Sequence, residues 1–177
     1  MACNLTSGIL LGCRDNVGGI ANMWITDWDN ITAITSSTGD TITAISGTGT
    51  FFGFELIRTS SQFTETVNAS LENGTIFYTD ELVVYFSKMT QEKRNILKTL
   101  GQSQKLGVVF VDNNGTYWLQ GQTYGSFVSA GSQVSGKALG DQNGVNLTLQ
   151  ALEPNPINSL SGALSSIVQG ITVQAVS

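Results

Sequence analysis

The pattern that most constrains this chain is a period of two. Residues 63–71, FTETVNASL, place Phe63, Val67, Ala69 and Leu71 on one face and Thr64, Thr66, Asn68 and Ser70 on the other. Such alternation describes a strand with one polar side. ENGT (72–75) follows, and its Asn-Gly step supplies the positive φ angles of a tight hairpin. Next come TIFY and then LVVYF (82–86), which is apolar on both faces and is expected to be covered on both sides. GVVFV (107–111), the turn DNNG and TYWLQ (116–120) read as a second hairpin. GVNLTLQA (144–151) alternates again, with Val145, Leu147, Leu149 and Ala151 on one side. ANMWITDW (21–28), TITAIS (41–46) and FFGFELIR (51–58) add further strands, about eight in all.

One helix interrupts this mainly β reading. Thr90 is a good N-cap, because its hydroxyl can accept a free first-turn N–H. Glu92 in the first turn and Lys98 near the last suit the helix dipole. Ile96, Leu97 and Leu100 form an apolar stripe, and Gly101 can take the left-handed closing conformation. Lys93, Arg94 and Lys98 are either a solvated face or an intersubunit salt-bridge surface. Pro154 and Pro156 mark a boundary between a β domain, 1–156, and an arm, 157–177, that holds no charged residue. In the arm Ile157, Leu160, Leu164, Ile167 and Val168 recur at helical spacing up to Gly170, and ITVQAV (171–176) then reads as a strand. Such an arm is a liability on a free monomer. It either docks on a neighbour through Ile157, Leu160 and Leu164 or folds against its own domain.

Composition limits the chemistry. At 177 residues a single domain buries roughly 70% of the surface of its unfolded chain, so a stable core needs no disulfide, metal or cofactor. Charged residues make up 12% of the chain, against about 25% in a typical soluble domain, and Thr, Ser, Asn and Gln fill the polar positions. That texture suits a surface covered by other subunits, and an extracellular β domain shares it. The net charge is −5, yet Lys88, Lys93, Arg94, Lys98 and Lys105 cluster with only Glu92 among them. The rest of the chain has three basic residues against twelve acids, which argues against a general grip on nucleic acid.

With no histidine, the commonest general base and metal ligand is missing. Cys3 and Cys13 form no metal pattern, and no apolar run approaches the ~20 residues of a membrane span. SGILLGC (7–13) faintly suggests a lipoprotein cleavage site, but no Lys or Arg precedes it and its apolar run is short, so export is not expected.

Two glycine-rich motifs fail on context. GSQVSGKALG (131–140) contains the G-x-x-x-x-G-K core of a phosphate loop, but Ala138 stands where Ser or Thr would hold magnesium. ALGDQNG and a strand then follow where a helix should begin. Gly131 and Gly136 read instead as turn or bulge residues between strands. GTGTFFG (47–53) puts Phe52 in place of the third glycine of a dinucleotide fingerprint. Asp27 with Asp29 and Asp80 with Glu81 lack the further oxygen ligands of a calcium loop and read as turn or rim charges. Trp24 and Trp28, four apart, would share a strand face as a sugar platform or, more simply, in core or interface packing.

The order of these elements resembles the tail tube proteins of tailed bacteriophages and the inner tubes of related injection systems. FTETVNASLENGTIFYTDELVVYF reads as a long hairpin, TQEKRNILKTLG as one helix, and KLGVVFVDNNGTYWLQG as a second hairpin. ALGDQNGVNLTLQALEPNP closes the domain with a late strand, and the match covers roughly residues 20–156. The resemblance implies a β-sandwich or half-barrel with one flanking helix at about residues 90–100. It implies six copies in a ring, their inner sheets joined in a closed barrel, and rings stacked into a tube that conducts DNA during ejection. It brings no catalytic residue, metal or cofactor. It implies a homo-oligomer within the virion that meets other tail proteins, lets DNA pass without holding it and carries no membrane anchor.

On this reading Thr64, Thr66, Asn68 and Ser70, with Glu65 and Glu72, are the candidate channel wall, neutral to negative so as to repel phosphates. Lys93, Arg94, Lys98, Trp24 and Trp28 join the arm as candidate intersubunit contacts. Other virion ring, connector or head decoration proteins would share much of this texture. A glycan-binding adhesin using Trp24, Trp28 and Trp118 is the alternative from a different class.

Overall fold

In a computed structural model, which describes residues 8, 9, 12, 14–57 and 59–176, the chain is mainly β. Cys3, Cys13, Arg58 and most of SGILLGC lie outside the described residues. The first strands are β1 (Ile20–Asp27), β2 (Ile31–Ser36), β3 (Ile42–Gly47) and β4 (Thr50–Glu55). A long hairpin, β5 (Gln62–Ser70) and β6 (Thr75–Ser87), leads to helix α1 (Gln91–Gln102). Then come β7 (Leu106–Asp112), β8 (Tyr117–Gln120), β9 (Ser126–Val134) and β10 (Gly144–Glu153). The end of the chain adds β11 (Asn158–Ser159), the single turn α2 (Leu164–Ile167), β12 (Val168–Gln169) and β13 (Thr172–Val173).

These elements stack as three layers. The outer layer is the antiparallel sheet β9-β10-β6-β5. The middle layer runs β13-β4-β1-β7-β8-β11. The two meet at the single pair Leu106↔Ser126. The third layer is the small sheet β12-β3-β2 with α2 of the arm. Between outer and middle layers lies one core, with Met23, Ile25, Val108 and Phe110 facing Leu82, Val84, Leu147 and Leu149. A second core packs Trp24, Val109, Val111 and Phe51 against Ile42, Ile45, Leu160, Leu164 and Ile167. Neighbouring residues of one strand therefore enter different cores, as the period of two requires.

The strand covered on both faces is β7, buried from Leu106 to Val111, and not the LVVYF run. In β6 Leu82 and Val84 are buried, but Val83 and Tyr85 are only half-buried on the opposite face. TIFY and LVVYF are one 13-residue strand, because TDE continues the ladder against β5 and β10 without a break. The hairpin turn spans four residues, Leu71 to Gly74, and only Gly74 takes a positive φ (64°), so the Asn-Gly step does not form a two-residue turn. Strands β2 and β9 were not foreseen from the sequence.

The helix forms where expected, and Thr90 Oγ1 accepts from Lys93 N at 3.3 Å. Gly101 lies inside it, and the chain leaves through Ser103 in extended conformation. Leu97 and Leu100 pack on the first core, whereas Ile96 is 42% exposed.

The arm folds against its own domain. Its helical spacing yields only the four residues of α2. The rest is extended, because the open edges of β8, β3 and β4 accept β11, β12 and β13 as short partners. Leu160 and Leu164, expected as intersubunit contacts, are 6% and 1% exposed in the second core, and Ile157 packs on the first. At the very end Gln174 O accepts from Trp24 Nε1 at 3.0 Å, and Gln174 N donates to Phe51 O at 2.9 Å. Gly53 permits this close passage, since a Cβ there would collide with Val176.

Leu164→Ala is expected to cost about 2–5 kcal/mol in urea unfolding, the range for emptying a buried leucine site. An unchanged midpoint would show that the arm is not part of the fold. Gly53→Ala is expected to free the end of the arm selectively, read as faster amide exchange at Gln174 with the strands of the first core still protected.

Candidate assembly surface

The outer sheet has one face on the first core and one facing away from the protein. Cross-strand pairing sets the outward rows. Thr64 lies opposite Glu81, Thr66 opposite Thr79 and Asn68 opposite Phe77. Further across, Glu81 pairs with Gln150, Val83 with Thr148 and Tyr85 with Asn146. The rows end on β9 at Phe127, Ala130 and Ser132. Hydroxyls and amides dominate this face, and Asn68 Nδ2 donates to Thr79 Oγ1 at 2.8 Å across the hairpin. None of β5, β6, β9 and β10 carries a Lys or Arg. Glu81 is the acid on the outward side.

Four of the expected wall residues, Thr64, Thr66, Asn68 and Ser70, do share this face. Glu65 does not: it stands in phase with Phe63, opposite Asp80, and its Oε2 accepts from Ile157 N at 2.9 Å. Glu72 sits in the exposed hairpin turn rather than on the sheet.

Both long edges of the outer sheet lack a strand partner among the described residues. β5 ends the ladder, and β9 meets β7 only at Ser126, with α1 packing alongside. Unpaired N–H and C=O rows of this length are templates for another strand. The hairpin also runs beyond the first core, so Val67 and Ile76 on the inner side and Leu71 in the turn are exposed, and Phe77 is exposed on the outward side.

A row of acids runs along the inner side of the same sheet. Asp80 is 1% exposed, and neither of its carboxyl oxygens has a hydrogen-bond partner among the described residues. Burial first, then the charges of Glu65 and Glu153, push its pKa up to about 7. Glu153, 4% exposed, accepts from Thr123 N and Tyr124 N at 3.0–3.1 Å. Gln120 Nε2 donates to Asp80 O and Leu149 O at 3.1 and 3.2 Å, while Gln120 Oε1 and Ser126 Oγ are buried without partners among the described residues. The reading of Asp80 as a rim charge is thus overturned, although Glu81 beside it is exposed. The available signal was phase: Glu65 follows Phe63, Asp80 precedes Leu82, and Glu153 follows Ala151, each by two residues.

The tryptophans do not converge. Trp24 is in the second core, stacked on Tyr117 at 5.8 Å, while Trp118 packs on the first core and donates to Asp112 Oδ2 at 3.3 Å. Trp28 lies in the 3-10 turn after β1. On opposite sides of the middle layer, the buried Trp24 and the half-buried Trp118 cannot form a sugar platform with it, and Trp24 is not available to a neighbouring subunit. Of the basic trio, Lys93 Nζ is bound to Ser87 O, and Arg94 and Lys98 are exposed on α1.

The phosphate-loop match lies in the β9–β10 connection. Gly131 is inside β9, and Gly136 turns the chain at φ 70°. Lys137 N and Ala138 N both donate to Asp141 Oδ2 at 2.8 Å, so an acid of the chain itself occupies the amide nest. These bonds hold the Asp141 carboxyl below the usual range. A groove of about 1010 Å³ opens between α1, β4 and Gln174–Val176 and is mainly apolar, with Phe52, Ile57 and Ile96 exposed along it. No family model, curated protein or solved structure matches the chain.

The two faces of β10 give a direct check. Thr148→Lys, on the outward side, is expected to change stability by less than about 1 kcal/mol, and Leu149→Lys to cost more than about 4 kcal/mol. Equal costs in chemical denaturation would mean that the sheet has no open face.

Proposed function

We propose that this chain is a structural subunit of a virion, assembling in stacked rings as the tail tube through which phage DNA leaves. The observation that carries the reading is a four-stranded antiparallel sheet whose two long edges, apart from Ser126, lack a strand partner among the described residues, with an outward face free of Lys and Arg. With an even number of strands, β5 of one copy would again lie antiparallel to β9 of the next. Closure into a ring removes both edges at once. Six copies are the number the tube family implies. The outward face then becomes the channel lining, and a lining in which hydroxyls and amides dominate, with Glu81 and no Lys or Arg, does not retain phosphates. The scarcity of charge elsewhere fits a surface covered by copies of the chain and by other tail proteins.

Electron microscopy of the purified protein tests the assembly: hollow tubes of uniform width are expected. Isolated rings would shift the reading to a connector or terminator, and a monodisperse monomer at high concentration would end it. Thr66→Lys with Asn68→Lys tests the lining. Tubes should still form, and DNA release from particles carrying the variant should slow. Release at the unaltered rate would remove these residues from the wall.

A further inference from the structure

The groups facing Asp80 come from every strand around it. They are Glu65 on β5, Tyr78 in phase on β6, Glu153 on β10, Gln120 on β8 and Ser126 across Ala151 on β9. None of these five strands carries a Lys or Arg. No group of three or more His, Cys, Asp or Glu among the described residues is placed to hold a metal ion. The ligand this row can take is therefore a proton.

The flanking acids each tie down a separate segment. Glu65 holds the start of the arm through Ile157 N, and Glu153 holds the β8–β9 connection through Thr123 N and Tyr124 N. In both ties the carboxyl oxygens accept backbone N–H groups, so a negative charge added beside them acts on the acceptors directly.

We propose that the row is a proton-operated clasp: with Asp80 protonated, Glu65 and Glu153 keep both segments docked, and loss of that proton adds a negative charge beside both ties and loosens them. The tied segments adjoin β5 and β9, so one proton controls the order of both open edges. This holds whether or not the protein forms tubes. The native chain keeps a proton that the unfolded chain releases above its ordinary value of 3.8 and gives it up only near 7. Stability therefore falls as pH rises across that interval and levels off above it.

Nuclear magnetic resonance on the full chain tests the clasp. The amide signals of Thr123, Tyr124 and Ile157 should titrate together with the Asp80 carboxyl carbon, with a midpoint near neutral pH. Glu65→Gln, which removes one neighbouring charge, should move that midpoint to lower pH. Asp80→Asn, which mimics the protonated form, should abolish the amide titration and lower the unfolding constant at pH 8 by up to roughly a thousandfold, tenfold for each pH unit of the interval. An Asp80 carboxyl already ionised at pH 5 overturns the proposal even if the variant fails to fold. So does an amide titration that persists in Asp80→Asn, or a calcium-induced shift of the same signals at constant pH.

Discussion

The rest of the molecule depends on β7, which is apolar on both faces. Val108 and Phe110 point one way, Val109 and Val111 the other, and all four are buried. A middle sheet of this kind cannot be half of a two-layer sandwich, because one face would remain in water. It needs two covers. The outer sheet is one. The other is assembled from a small sheet and from the arm, whose Leu160, Leu164 and Ile167 are the closest thing to a conventional core that the C-terminal residues possess.

That arrangement leaves the outer sheet with its second face unused. In an ordinary antiparallel sheet facing water, Lys and Glu would fill such positions. Here Thr, Ser, Asn and Gln fill them, and the positive charge of the chain is concentrated on and around α1. A surface of hydroxyls and amides satisfies its own hydrogen bonds but provides little repulsion between copies. Open edges and weak self-repulsion both favour association through the strand ends. Two acids on the inner side of the same sheet, the half-buried Glu65 and the buried Glu153, tie it to the arm and to the β8–β9 connection.

Much of this was legible in the residues. The alternation at 63–71 gave the polar face and its members correctly, and Thr90 marked the helix. The misses share a cause. β9, SFVSAGSQV, has few strand-forming side chains and is a strand because β10 offers a partner along its whole length. The arm has helical spacing and is mostly extended, because edges already present in the fold accept it. Asp80 was read with its neighbour Glu81 as a pair, although strand phase separates them to opposite faces. Trp24 and Trp28 were placed on one face because four residues equal two strand periods, but β1 ends between them.

The sequence by itself determined which residues lie on the same side of each strand, since side-chain direction follows from a local period. It also determined the shortage of charge and the absence of histidine. Only the tertiary structure decided which side became core, which edges stayed open and where the acids met. Those outcomes depend on pairings between strands far apart in the chain, such as β10 with β6 and β11 with β8. Period alone carries no information about the partner, so phase could be read while neighbourhood could not.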